Sequence, residues 1–451
     1  MSSHDENEDK RASEFNPELC ATLYNRIIQI GFKGSKLEEQ GDRIITSWFE
    51  GFKNDPALQE CRNLFPAPLV TFLEQANVIV DKEGRPRVPD ALLHHVEVLA
   101  TPGDMLIIDQ YSAFTEKDEC IILMRNNVFG EYDCAGVVMD LQDLSVCYRL
   151  DAHDVNVSDP ESPGTTWYML EEFLDHWLFI IEVEKYKAVV PGTEKCNPSG
   201  SLVQRWDVAP WNPFILRQSL DAWNSLVEAI SARLPEQCHH QAPPQVIADD
   251  FLPEEIKGFP RAFLQAASKP PFKFIAPGLT IYNPNAPPHL PYRDPQTMRY
   301  DTPNFDMRYK WVPDDANALI LFPAEGHLDA EAGLWIAPDE GWADTVRLAL
   351  PYSIESYPDS EGKRVKHRQP TYGSKLWQHG ECPFFIQHST RLSTMLHRWR
   401  KLVEDGIWTV DEHGVQGGIE FYRQAEDPAK ADWFCLRDVC FDWDEIYIAL
   451  D

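Results

Sequence analysis

The stretch CAGVVMDLQDLSVCYRL, Cys134 to Leu150, decides the fold class. Two apolar runs, VVMDL and SVCYRL, flank a polar turn at Gln142 and Asp143, which is the pattern of a β-hairpin. Upstream, GDMLIIDQYS (Gly103 to Ser112) and ECIILMRNN (Glu119 to Asn127) are further short apolar runs bounded by turn-forming residues, so a largely antiparallel sheet is expected from about residue 103. Downstream the period changes. In TTWYMLEEFLDHWLFIIEVEKYKAV, Leu170, Phe173, Leu174, Trp177, Leu178 and Ile181 form one apolar stripe at helical spacing, behind a Thr cap and with Glu171 and Glu172 near the positive end of the helix dipole.

Helical signals also precede the sheet. NPELCATLYNRIIQIGF sets Leu19, Leu23, Ile27 and Ile30 at helical spacing, with Asn16 as cap, Pro17 in the first turn and Gly31 as terminator. DPALQECRNLFPAPLVTFLEQANVIV reads as two short helices parted by Pro66 and Pro68, because proline removes a backbone donor and clashes with the preceding turn. NPFILRQSLDAWNSLVEAISARL (Asn212 to Leu234) is a further amphipathic helix, and PEQCHHQAPPQV after it has the composition of a linker. Beyond it come a helix near Pro260 to Ala267, a Pro- and Asn-rich passage (Pro270 to Pro313), strands at ALILFPA and GLWIAP, a helix LSTMLHRWRKLVEDG ending on Gly406, and a terminal strand DEIYIAL.

The expected fold class is therefore α+β, with a mixed or antiparallel sheet flanked by helices in the first half and a second α+β domain in the rest. A chain of 451 residues exceeds the roughly 250 to 300 at which a single core stops growing. The reading divides it into a disordered tail at 1–14, a domain at 15–235, a linker at 236–250 and a second domain at 251–451. The tail, MSSHDENEDKRASE, has nothing apolar to bury.

The 41 basic and 72 acidic residues give a formal charge of −31, a field that repels phosphate backbones and anionic membrane surfaces alike. No nucleic-acid or membrane partner is expected. Two basic patches run against this field, GKRVKHR (Gly362 to Arg368) and the set Arg391, Arg398, Arg400 and Lys401; both read as solvated faces. Ten cysteines without a Cys-x-x-Cys pair read as reduced thiols, and neither a secretory signal nor a long apolar span occurs. An intracellular protein of the cytoplasm or nucleus is expected.

Catalytic signatures are sparse. The sequence holds no Gly-x-Ser-x-Gly elbow, P-loop or dinucleotide fingerprint. DAHDVNVSDP (Asp151 to Pro160) lacks the glycine and glutamate of a calcium loop, and the His pairs at His94 and His95 and in CHHQ lack the further ligands of a closed zinc site. GVQGGI (Gly414 to Ile419) reads as a turn whose glycines supply positive φ. EGHLDAEAGLWIAP (Glu325 to Pro338) is different: its His-x-Asp triplet, His327 and Asp329, with distal His388, has the order of an iron-binding facial triad, and Arg398 stands ten residues on, where 2-oxoglutarate would need a cation. Against this, Arg398 lies in a stretch that reads as helix, whereas the oxygenase needs a strand there; the plainer reading makes Asp329 a turn cap. A hydrolase triad stays open, since triads are set by geometry. Aromatic clusters in RWDVAPWNPF (Arg205 to Phe214) and DWFCLRDVCFDW (Asp432 to Trp443) make Trp206, Trp211, Trp433 and Trp443 candidate anchors for a protein partner, with core packing as the plainer alternative.

The segment from Pro56 to Val189 resembles the SUKH superfamily, which includes the yeast cell-wall-assembly regulator of the Smi/Knr type. The likeness lies in the order of ALQECRNLFPAPLVTFLEQAN, DMLIIDQYS, CIILMRNN, CAGVVMDLQDLSVCYRL and WYMLEEFLDHWLFIIE. It implies a non-catalytic α+β module that binds proteins, as a signalling scaffold or as a neutralising partner, and the acidic charge suits a basic partner. PPFKFIAPGL (Pro270 to Leu279) and IWTVDEHGVQGGIEFYRQAED (Ile407 to Asp427) are similar to segments of filamentous-fungal proteins of unknown activity. The leading expectation is a binding or regulatory module without cofactor. The alternative is an iron- and 2-oxoglutarate-dependent oxygenase of specialised metabolism.

Overall fold

The structure, a computed structural model, describes residues 15–36, 39, 41, 43–81, 83–84, 91–93, 96–106, 120–126, 136–149, 167–189, 206–236, 246–254, 256–284, 319–328, 331–336, 343–354, 356–358, 364–366, 375–376 and 390–434. Contacts divide the chain into two compact units, Met1–Ala209 and Pro210–Ala449. Both are α+β.

The first unit opens with helix α1 (Pro17–Gly34), capped as expected: Leu19 N–H donates to Asn16 Oδ1 at 3.0 Å, and Pro17 takes the first position. Its buried face is rotated from the expected stripe. Cys20, Tyr24, Ile27, Ile28 and Gly31 are buried, and Leu19 is exposed. Gly31 does not end the helix. A Cβ there would lie 2.9 Å from the Trp206 ring, so this glycine allows a close approach within the unit.

Strand β1 (Arg43–Ser47), the short helices α2 (Trp48–Gly51), α3 (Leu58–Leu64) and α4 (Ala67–Gln75), and strand β2 (Asn77–Asp81) follow, with β1 and β2 antiparallel. The break between α3 and α4 falls at the prolines, as expected. Strands β3 (Ala91–Leu93) and β4 (Val96–Leu99), a helical turn α5 (Pro102–Met105), and strands β5 (Cys120–Asn126), β6 (Gly136–Asp140), β7 (Ser145–Arg149) and β8 (Tyr168–Met169) form a six-stranded antiparallel meander in sequence order. The expected strand at Gly103 is corrected over Gly103–Met105. Thr101 caps a helical turn there, its Oγ1 accepting from Asp104 N, and Pro102 supplies the fixed φ of a first helical position. Residues 107–112 of that stretch lie outside the described residues.

The β6–β7 hairpin pairs Gly136 with Arg149 through Met139 with Val146. Its turn runs over Leu141–Leu144, where Gln142 N–H donates to Asp140 Oδ1 and Ser145 N–H to Asp143 Oδ1. Leu144 is left-handed at φ 58° and buried. Removing a leucine side chain from water contributes about 2 kcal/mol, which offsets the 1 kcal/mol or so of backbone strain.

Helix α6 (Leu170–Glu182) buries every residue of the expected stripe, so the periodicity was sound. Met169 takes the cap position in place of the expected Thr, and Met169 N–H donates to Glu172 Oε2 at 3.4 Å. Strands β9 (Tyr186–Ala188) and β10 (Trp206–Val208) close the unit as an antiparallel pair.

The second unit begins with helix α7 (Pro213–Ser231), whose Asn212 side chain accepts from Ile215 N–H. The linker-rich composition after this helix assigns it to the first half; its contacts assign it to the second unit, because Ile215, Ala222, Trp223, Leu226 and Ile230 are buried and the helix packs on the helix Leu392–Glu404. Then come α8 (Gly258–Ala266), β11 (Phe274–Ala276), β12 (Leu279–Thr280), β13 (Leu319–His327), β14 (Glu331–Ile336), β15 (Thr345–Ala349), β16 (Ser356–Pro358), β17 (Arg364–Lys366), β18 (Lys375–Leu376), β19 (Thr390–Arg391), α9 (Leu392–Glu404), β20 (Val410–Asp411) and β21 (Gly414–Val415). Two 3-10 helices, Ile419–Glu426 and Pro428–Phe434, end the described chain. The main sheet runs β13–β14–β15–β18, with β19 also on β15; a smaller sheet contains the parallel pair β11–β21. The expected terminal strand DEIYIAL lies outside the described residues.

Rings carry the core of this unit. Trp223 stacks on Phe322 at 5.4 Å, Phe322 meets Trp399, Trp399 meets Trp408, Trp408 meets Phe421, and Phe421 stacks on Trp433. One aromatic file thus ties α7, β13, α9 and the terminal 3-10 helices together, each ring pair adding to the apolar area it buries.

Candidate functional site

The residues that the oxygenase reading requires do not assemble among the described residues. His327 ends β13 with its side chain exposed, while Asp329 and His388 lie outside the described residues. Arg398 is on α9 and buried, donating from Nε to Trp433 O at 3.1 Å and from Nη2 to Asp432 O. A guanidinium held in this way by two carbonyls fastens the last 3-10 helix to α9. Among the described residues no cluster of His, Cys, Asp and Glu could hold a metal ion.

The basic face expected on α9 is also corrected. Arg391 and Arg398 are buried, and Arg400 pairs with Glu404 one turn along at 3.5 Å. Alternation of apolar and basic residues reads as an amphipathic surface, but two of the cations have interior partners.

Of the four candidate anchors, Trp206 is 3% exposed and packs over Gly31, so it fills the core of the first unit. Trp211 is half-buried with its ring edge-on to Phe259 at 6.3 Å. Trp433 is half-buried at the end of the aromatic file, with Lys430 Nζ 5.4 Å from its ring centre. Trp443, together with DAHDVNVSDP, His94, His95 and CHHQ, lies outside the described residues. The glycines of GVQGGI behave as expected at Gly414 and Gly417, both with positive φ.

Two polar clusters that the sequence reading missed emerge from the tertiary structure. In the second unit Arg391 donates from Nε to Asp344 Oδ2 at 3.0 Å and from Nη2 to Gln218 Oε1 at 3.0 Å, and Leu392 N–H donates to Asp344 O. One aspartate thereby fixes both the cap residue of α9 and the first amide of that helix, and the guanidinium reaches across to α7. Asp344 is fully buried, and its Oδ1 has no hydrogen-bond partner among the described residues. The chemistry of this cluster is fastening.

In the first unit Glu97, Asp104 and Arg125 gather where β4, α5 and β5 meet. Arg125 Nη1 lies 3.4 Å from Asp104 Oδ1, and Glu97 follows Val96, whose ladder partner is Asn126, the neighbour of Arg125. Glu97 is 8% exposed. Burial pushes its carboxyl up to about 7, opposed by the Arg125 charge and assisted by Asp104. This group can gain or lose a proton near neutrality. The TPGD capping pattern at Thr101–Asp104 was the one available sequence signal for the cluster.

Buried histidine and cysteine in this unit are less available. His176 on α6 is fully buried, and burial lowers its imidazole to about 4, so it is neutral at pH 7. The Cys20 thiol donates to Glu171 Oε2 at 3.3 Å, and burial with the Glu171 charge pushes its pKa far up; burial raises Cys61 to about 12. Both stay protonated, the opposite of a reactive thiolate.

These features define an α+β protein of two units with antiparallel and mixed sheets, and with no helix among the described residues long and apolar enough to cross a membrane. Comparison with protein-family models, with curated proteins and with solved structures finds no match.

Proposed function

We propose that the chain is a non-catalytic protein-binding or regulatory module whose partner is a basic protein. The observation that carries this reading is the disposition of charge: −31 overall, with two of the cations that could interrupt the acidic field around α9, its cap residue Arg391 and Arg398, turned inward and a third paired with Glu404. A net field of one sign steers partners of the opposite sign and selects against like-charged ones. The order of α3, α4, β5, the β6–β7 hairpin and α6 supports the SUKH-like reading of Pro56 to Val189, while DMLIIDQYS, which that reading gives to a strand, begins in the α5 turn. Arg398, which the oxygenase reading gives to 2-oxoglutarate, is bonded to backbone carbonyls on a helix, and this favours the module over the enzyme.

The test is capture from lysate by the purified full chain at two salt concentrations. Enrichment of one basic protein, lost at raised salt, is the expected result. About one iron per purified chain, removed by His327→Ala, would overturn the module in favour of the oxygenase.

A further inference from the structure

We propose that Glu97, Arg125 and Asp104 form a proton-operated latch that holds the Pro102–Met105 turn against the edge of the β4–β5 ladder when Glu97 is neutral and slackens it when Glu97 ionises. The geometry pairs the Arg125 guanidinium with Asp104 at 3.4 Å and sets the buried Glu97 on the adjoining strand, next to the Val96–Asn126 ladder pair. Asp104 sits on the turn and is half-buried; Glu97 sits on the sheet and is buried. A neutral Glu97 leaves Arg125 to Asp104. An ionised Glu97 attracts Arg125 and repels the Asp104 carboxylate, and both effects on the pair grow because Coulomb energies rise as the local dielectric falls at a buried site.

What the latch holds is defined by four other bonds. Thr101 Oγ1 donates to Asp104 Oδ2 at 2.8 Å, Met105 N–H donates to Thr101 O, the Cys61 thiol donates to Pro102 O at 3.5 Å, and Trp48 Nε1 donates to Ala100 O at 3.0 Å. Loosening Asp104 therefore loosens the cap of α5 and its seat on α3. Among the described residues few other charges bear on Glu97. Strand β3 sets Ala91 opposite it, β4 contributes only valine and leucine besides, and Arg125 is the only charged residue of β5. On α3, Glu60 and Arg62 are exposed, and Arg62 pairs with Glu74. His94 and His95, between β3 and β4, lie outside the described residues.

Hydrogen–deuterium exchange of the full chain, read by mass spectrometry on the peptide spanning residues 99–106 and corrected for intrinsic rates, tests the latch. Protection is expected to fall about tenfold between pH 6 and pH 8, the equivalent of one pKa unit of coupling. Glu97→Gln is expected to be protected at both values. Asp104→Asn removes the carboxylate that Arg125 holds, and is expected to show low protection at both. The same pH response in wild type and Glu97→Gln would overturn the proposal by assigning the effect to His94 or His95, as would a wild type without response. Should Glu97→Gln fail to fold, a wild-type response surviving in Asp104→Asn overturns it equally.

Discussion

Arg391 donates to Asp344 at 3.0 Å inside the second unit, and the same aspartate accepts the first amide of α9 through its carbonyl. Removing one partner of a buried pair leaves the other charge without compensation, at a cost of about 3 to 5 kcal/mol. Asp344→Ala is therefore expected to lower the unfolding free energy of the second unit by an amount in that range, read as a lower urea midpoint. The double change Asp344→Leu with Arg391→Met should recover much of the loss, because well-packed apolar replacements of buried pairs are often neutral. A single variant that unfolds at the wild-type midpoint would show that the pair holds nothing together.

Two groups of the first unit are expected to oppose each other in pH dependence. Burial lowers His176 from its ordinary 6.5 to about 4, so between those values the unfolded chain binds more protons and stability falls as pH falls. Burial raises Glu97 from its ordinary 4.5 to about 7, so between those values the folded chain binds more protons and stability falls as pH rises. Each contribution is worth about 3 kcal/mol, and from pH 4.5 to 6.5 the two nearly cancel. Glu97→Gln should leave the His176 slope uncovered, so the difference between variant and wild-type stability grows as pH rises from 4.5 to 7. A pH-independent difference in urea titrations would refute the assignment.

Glycines at positive φ separate strain from space. Gly414 has φ +106°, and a Cβ there would lie 2.3 Å from Phe274 O; Gly406 has φ +71° with nothing within 4 Å. Both alanine variants carry backbone strain of about 1 to 3 kcal/mol. Only Gly414→Ala must also push the β11 backbone away. It should be the less stable of the two by thermal unfolding, and equal midpoints would contradict the close approach.

Trp433 and Trp206 should part company in mutation. Trp206→Ala empties a packed core site and is expected to destabilise the first unit by about 3 to 5 kcal/mol. Trp433→Ala, at a half-buried position, should leave most of the fold intact while weakening partner capture by about 2 kcal/mol, the scale of a hot-spot tryptophan. Measured by capture and by circular dichroism, unchanged capture would remove Trp433 from the binding surface.

Helix existence was legible wherever a cap and a stripe agreed, as at Asn16 with α1 and Asn212 with α7. The hairpin of β6 and β7 was legible because β-branched runs and a polar turn occur within seventeen residues. The face of α1 was not, since its buried stripe uses Cys20, Tyr24 and Gly31, which a search for leucine and isoleucine passes over. Gly31 shows the ambiguity best. A glycine late in a helical pattern signals a terminus as readily as a close contact, and only the Trp206 ring 175 residues further on decides which.

From its residues alone this chain is an acidic α+β protein with helices and strands in a readable order, because propensity, capping and periodicity act within a few positions. The tertiary structure alone decided that α7 belongs with the second unit, that Arg398 holds carbonyls, and that Arg125 pairs with Asp104 beside the strand that buries Glu97. Burial and electrostatic coupling depend on distance through space, and residues remote in sequence acquire that distance only when the chain folds.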